Sequence, residues 1–196
     1  GARIRTDETV HELSKTDGDV VVDSDSERRA VDAAVVATPP RTAAQLTGVD
    51  AIPTDGIGCV TQHYRLPDAE PLNTGKRLLL NAGDDEPNTV VPMSEVAPEY
   101  AADGGLLLNA TFLDADAEEA DSETLAGQTQ SALSSWYPER SFERLEPLAT
   151  DRIPFAQFAQ PPGMHDDLPS VRDGGDSVYL ASEYTEWSSI QGAMQS

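Results

Sequence analysis

The residues best able to do chemistry stand together in the last twenty, SVYLASEYTEWSSIQGAMQS (177–196). Val178-Tyr179-Leu180-Ala181 reads as a short apolar strand that breaks at Ser182-Glu183. A polar turn follows, and a helix is predicted from Ser188 or Ser189. A strand, an acidic turn and a serine-capped helix suit a phosphate-bearing cofactor. The helix start offers unpaired N–H groups at a positive dipole end, and the acid can accept from a ribose-type hydroxyl. The same spacing equally fits a helix packed on a sheet with an ordinary serine cap.

The other reactive side chains do not group. His11, His63 and His165 lie far apart with no metal-ligand spacing, and Cys59 is the single cysteine, so no internal disulfide or Cys-x-x-Cys zinc site is possible. Asp114, Asp116, Glu118 and Glu119 begin like a calcium loop. However, Glu119 stands where the sharp turn needs glycine, and Leu125 stands where a bidentate acid is needed. These acids instead suit the start of a helix over 118–136, where Leu125, Thr129, Leu133 and Trp136 recur at one-turn spacing and Pro138 ends the run.

Charge narrows the partners. The 196 residues carry 35 acidic against 13 basic side chains, a formal charge of −22, and only Lys15 and Lys76 are lysines. Nucleic acid needs clusters of Lys and Arg that this sequence lacks. The acids are spread among apolar segments, as on a folded surface bathed in a salt-rich cytoplasm. No stretch of about eighteen apolar residues and no basic-then-apolar leader occurs, so a cytoplasmic protein without a membrane span is expected. Both ends read as cut, the first in mid-phrase and the last inside a helix.

The elements that must position the terminal segment follow in order. Strands are predicted near Ile4 and over 10–13. A turn at Thr16-Asp17-Gly18-Asp19 leads to a return strand from Val20, making a hairpin, and 23–29 is a polar connection. Residues 33–37, an unalternating apolar run, suit a strand buried on both faces beside 178–181. Thr38-Pro39-Pro40 breaks it, and a short helix over 41–47 stops at Gly48. Val60, Gln62, Tyr64 and Leu66 share one face of a strand over 58–66. Further apolar runs at 77–81, 88–93 and 106–113, separated by turn residues, predict an antiparallel or mixed sheet covered by the 118–136 helix. Residues 152–164 form an extended segment whose Phe155 and Phe158 suit either an apolar substrate cavity or a core. The fold class is α+β, organised as 1–48, 49–150 and 151–196.

Ala181, Tyr184, Thr185, Ser189, Gly192, Ala193 and Ser196 resemble the C-terminal flavin-binding signature of flavin amine oxidases, protoporphyrinogen oxidases and phytoene desaturases. Asp32, Val35, Ala37, Pro39 and Pro40 resemble a second segment of that superfamily. The resemblance covers about the first and last fifty residues, and the acidic, lysine-poor composition makes a haloarchaeal member the expectation. It implies FAD as cofactor, a Rossmann-like lobe from the two ends, and a substrate-binding half between them. It also implies hydride transfer from a C–H or C–N bond of a small, apolar or amine substrate. Carried over, Val10, Thr38, Pro39, Ser182, Glu183, Ser189, Ile190, Gln191 and Ala193 contact the cofactor. Phe155 and Phe158 face the substrate, and Glu186 is left to solvent. Two positions depart: the family's glycine is Ser182, which crowds a close backbone approach, and its aspartate is Glu183. No G-x-G-x-x-G loop is present, so a preceding Rossmann segment is expected as a partner, and the chain alone is expected to be incomplete and inactive. No acid–base pair or nucleophile emerges as catalytic. A binding module of the same fold that has lost flavin, and an acidic structural domain, remain alternatives.

Overall fold

A computed structural model describes residues 2–16, 18–83, 86–101, 104–113 and 118–196. The chain forms two compact units: unit 1 comprises Gly1–Gly56 and Gln157–Ser196, and unit 2 comprises Ile57–Ala156. Asp114 and Asp116, the first acids of the run that precedes the helix, lie outside the described residues.

Unit 1 opens with the predicted hairpin. β1 (Val10–Lys15) and β2 (Val20–Ser24) pair antiparallel, closed by reciprocal backbone bonds between Thr16 and Asp19 of 2.9 and 3.3 Å. Two expectations fail here. Ile4 is coil and 87% exposed, having no strand to pair with among the described residues. The stretch 23–29 is not a plain connection, because β2 runs to Ser24 and a third strand, β3 (Arg28–Val31), turns back on it. Side chains make that turn tight. The Glu8 carboxylate accepts from Ser24 Oγ (2.6 Å) and from Ser26 N–H (3.2 Å) and Oγ (2.5 Å), which holds it below the usual carboxylate range. Asp25 is lowered likewise, by the Thr9 N–H at 2.8 Å and the His11 ring at 2.6 Å.

The second sheet of unit 1 is a parallel pair, β4 (Ala34–Val36) and β10 (Val178–Leu180), with Val36 opposite Leu180. These are the two apolar runs expected side by side. Burial on both faces is not what they have: Val36 and Leu180 are buried, but Val35 is 65% exposed. A two-stranded sheet covers one face, and the residue between Ala34 and Val36 points to the other. Helix α1 (Pro40–Thr47) follows with proline in its first turn, where a missing N–H costs nothing. Gly48 caps it at φ 68°, a left-handed position suited to glycine.

Unit 2 is a five-stranded sheet in the order β6 (Leu79–Leu80), β7 (Thr89–Val91), β8 (Leu106–Phe112), β5 (Gly56–Leu66), β9 (Glu146–Phe158). The pairs β6–β7, β7–β8 and β5–β8 are antiparallel. α2 (Met93–Val96) is a single turn. α3 (Ser122–Trp136) lies on the face made by Val60, Tyr64, Leu108, Ala110 and Phe112, burying Leu125, Thr129 and Leu133. It starts later than the predicted 118 because Asp121, not Glu118, is the cap, accepting from Thr124 N–H at 2.8 Å. β9 also exceeds expectation, beginning at Glu146.

Gln62 sits on the apolar face with no exposure because that face holds a polar knot. Its Nε2 lies 2.6 Å from Ser122 Oγ and 2.8 Å from Thr150 Oγ1, while Tyr64 Oη donates to Gln62 Oε1 at 2.5 Å and lies 2.8 Å from Thr129 Oγ1. Burial pushes the Tyr64 hydroxyl up to about 12. The fold class is α+β, as expected.

Candidate functional site

The candidate site of unit 1 grows from the parallel pair. Two strands running the same way finish at the same edge, and that carboxyl edge is where ligands bind on parallel sheets. β4 leaves the edge through Thr38 and Pro39, and β10 leaves it through Ser182 and Glu183, with Ala181 N–H bonding Val36 O at 3.0 Å. A 3-10 turn (Glu183–Thr185) then drops Tyr184 into the unit. Its ring is fully buried, its hydroxyl donates to Val36 O at 3.2 Å, and burial pushes its pKa up to about 12. The turn thus clamps onto the strand beside it.

α4 (Ile190–Gln195) follows, capped by Ser189, whose Oγ accepts from Gly192 N–H at 2.9 Å. Ser188 Oγ donates to Glu183 Oε2 at 3.0 Å, tying the helix start to the strand end. Gly192 is required by crowding: a Cβ there would lie 2.0 Å from Trp187 O. Thr38, Pro39, Ser182, Glu183 and Ser189 are therefore brought to one edge. Ser189 already satisfies one helix amide itself, and the N–H groups of Ile190 and Gln191 lack intrahelical partners by helix geometry. Ile190, Gln191 and Ala193 are exposed, Ile190 to 84%.

The other predicted residues fall elsewhere. Val10 opens β1, half-buried in the three-stranded sheet, and α1 packs on that strand. Phe155 is half-buried in unit 2, whereas Phe158 belongs to unit 1 and is fully buried, so the two belong to separate units. Glu186, expected in solvent, is half-buried because it lines a groove of about 540 Å3 with Gln160, His165 and Trp187. Gln160 Oε1 accepts from Ser188 N–H at 3.2 Å, and His165 Nδ1 lies 3.3 Å from Glu186 O. No local pattern marks these two residues, since each pairing spans more than twenty positions.

Do these residues fit a flavin cofactor? Thr38 Oγ1 is buried with no hydrogen-bond partner, a hydroxyl left for a ligand at the edge in question. Ser182, the departure from glycine, has φ −170° and ψ 172°, extended backbone that any residue adopts. The set of groups is compatible: a hydroxyl and two amide donors, and one carboxylate acceptor.

A family model described as flavin-containing amine oxidoreductase matches residues 1–196. The chain belongs to this family. The family's cofactor is FAD. Among solved structures, a protein of Exiguobacterium sp. 255-15, provisionally assigned as a protoporphyrinogen oxidase, aligns with a TM-score of 0.72 at 13% identity, over 96% of this chain and 44% of that one. A putrescine oxidase bound to putrescine aligns at 0.66 and 15%, over 96% and 46%. An oxidoreductase of Methanosarcina mazei aligns at 0.65 and 15%, over 96% and 48%. At such identity these neighbours speak for the fold, and the chain spans somewhat under half the length of each. No curated protein matches the sequence. Among the described residues, no helix is long and apolar enough to cross a membrane, and no group of three or more His, Cys, Asp or Glu could hold a metal ion.

Proposed function

We propose that the chain is the C-terminal part of an FAD-dependent oxidoreductase that oxidises a C–H or C–N bond of a small apolar or amine substrate by hydride transfer. The observation that carries the reading is the shared edge of β4 and β10, where Thr38 Oγ1 is buried and unpartnered and Glu183 is held by Ser188. Family membership supports it. Bound FAD supplies the two-electron acceptor, and the chain's residues orient it. Thr38 offers a hydroxyl, Glu183 accepts from a ribityl-type hydroxyl, and the amides of Ile190 and Gln191 donate to electron-rich atoms. Ser182, Pro39 and Ala193 shape the contact, with Val10 reaching the cofactor from the hairpin. The pyrophosphate falls to a glycine-rich loop outside this sequence. Phe155 is the substrate contact of unit 2, and the full burial of Phe158 favours packing for that residue. The acidic surface suits a salt-rich cytoplasm.

The test is a titration of the full-length apoprotein with FAD. Glu183→Ala weakens binding by about 1–3 kcal/mol, the worth of a hydrogen bond to a charged group. Glu183→Gln, which keeps an acceptor, loses less. Glu139→Ala, an exposed acid of unit 2, changes nothing. Equal affinity in wild type and Glu183→Ala removes this acid from the site.

A further inference from the structure

The β4–β10 edge holds a polar group that contact with a flavin does not explain, the hydroxyl of Tyr184. The side chain has no exposure, and phenylalanine would fill the same space. A hydroxyl taken into the interior is costly unless bonded, and this one donates to Val36 O at 3.2 Å. Burial pushes its pKa up to about 12, so it stays a donor at neutral pH.

Val36 O also takes the Ala181 N–H at 3.0 Å. That bond satisfies the carbonyl within the sheet, and Tyr184 uses the second lone pair. The extra bond falls where the backbone is short of anchors. Val36 ends β4, and Ala37-Thr38-Pro39-Pro40 follows. Neither proline has an N–H to hold the strand exit, and α1 reaches back as far as Pro39 O, from Ala43 N–H at 3.0 Å. The turn that carries Tyr184 is itself braced. Thr185 N–H and Oγ1 both donate to Ser182 O, at 3.1 and 3.0 Å, and Glu186 N–H donates to Glu183 O at 3.1 Å. A braced arm following β10 therefore grips the last carbonyl of β4, two residues before Thr38, whose Oγ1 is buried and unpartnered.

We propose that Tyr184 is a positioning residue: through Val36 O it fixes the exit of β4, and with it the direction of the Thr38 hydroxyl offered to the cofactor. The inference rests on the flavin reading for the identity of the ligand, and on the geometry of this edge for the rest. Tyr184 acts through Thr38, because its own hydroxyl is engaged by the strand.

The test compares full-length wild type, Tyr184→Phe, Thr38→Val and the double variant, with labelled threonine. In the apoprotein, three-bond couplings read the Thr38 χ1 angle. Wild type holds one rotamer, and Tyr184→Phe averages over several. In titrations with FAD, each single change raises Kd about fivefold, as loss of one hydrogen bond does. The double variant also loses about fivefold, because both changes remove the same contact, whereas independent roles would multiply to about twenty-five-fold. Tyr64→Phe, which breaks the polar knot of unit 2 and lowers stability, leaves FAD affinity at the wild-type value. An unchanged Thr38 rotamer in Tyr184→Phe, or losses that multiply, overturns the assignment. If wild type takes up no FAD, the flavin reading falls, and the rotamer comparison alone decides whether Tyr184 positions Thr38.

Discussion

At the scale of single residues, Gln62 shows what alternation reveals and what it hides. Its place on the buried face of β5 was legible from spacing with Val60, Tyr64 and Leu66. Its partners were not, because Ser122 and Thr150 lie 60 and 88 positions away. Removing a buried polar partner leaves the rest unsatisfied. Gln62→Ala is therefore expected to cost about 1–3 kcal/mol of unfolding free energy, measured by urea denaturation. Thr129→Val costs less, since Tyr64 Oη keeps Gln62 Oε1. The buried tyrosines also set an alkaline limit. Tyr64 and Tyr184 have folded pKa values raised to about 12 from an ordinary value of 10.0, so both states hold the proton below pH 10. Above it the unfolded chain ionises first, and stability falls between pH 10 and 12. An unfolding midpoint unchanged across that window contradicts the burial of these hydroxyls.

Among the elements, the hairpin, α1 with its Pro39-Pro40 entry and Gly48 exit, and the β4–β10 neighbourhood were readable because their signals are local: turn residues, a proline start, a glycine stop. β3 was missed because Arg28 and Arg29 carry no strand-like alternation. The turn before it is held by partners sixteen positions away: Glu8 accepts from Ser24, and Asp25 within the turn accepts from Thr9 N–H. The start of α3 was misplaced because several acids precede it, and only the Asp121–Thr124 bond singles out the cap. The bonds from Thr124 hold Asp121 below the ordinary carboxylate range, so its contribution is present at neutral pH and lost as pH falls through its lowered pKa. Asp121→Ala is expected to be less stable than wild type at neutral pH, with the difference closing in acid where both caps are uncharged, as thermal melts at several pH values would register. Gly192→Ala makes a sharper demand. With a Cβ 2.0 Å from Trp187 O, backbone must move, and the expected outcome is release of the Ser189 cap and altered Trp187 emission. A crystal structure of that variant with the cap intact counts against this packing.

The whole molecule carries 35 acids and 13 basic side chains, and ion pairs such as Arg5–Glu27, Arg65–Glu146 and Arg144–Asp68 lie on partly exposed surface. Such pairs contribute little, whereas self-repulsion summed over −22 charges is large and long-ranged until salt screens it. Melting temperature is thus expected to rise from low to molar potassium chloride, and a flat or falling curve contradicts it. Unit 1 draws on both ends of the chain, where two short apolar strands each needed a neighbour and pair as β4 and β10. The edge they share carries Ser182, Glu183 and Ser189, which the sequence alone singles out as contacts for the proposed cofactor. Its orphan hydroxyl at Thr38 and its clamp through Tyr184 became visible only in three dimensions. The most direct measurement of the central claim, that this edge holds FAD, is the flavin content of the full-length protein. The account predicts one FAD per chain, retained through gel filtration and seen in the visible absorption of the pure protein. A colourless protein that also takes up no added FAD would contradict it.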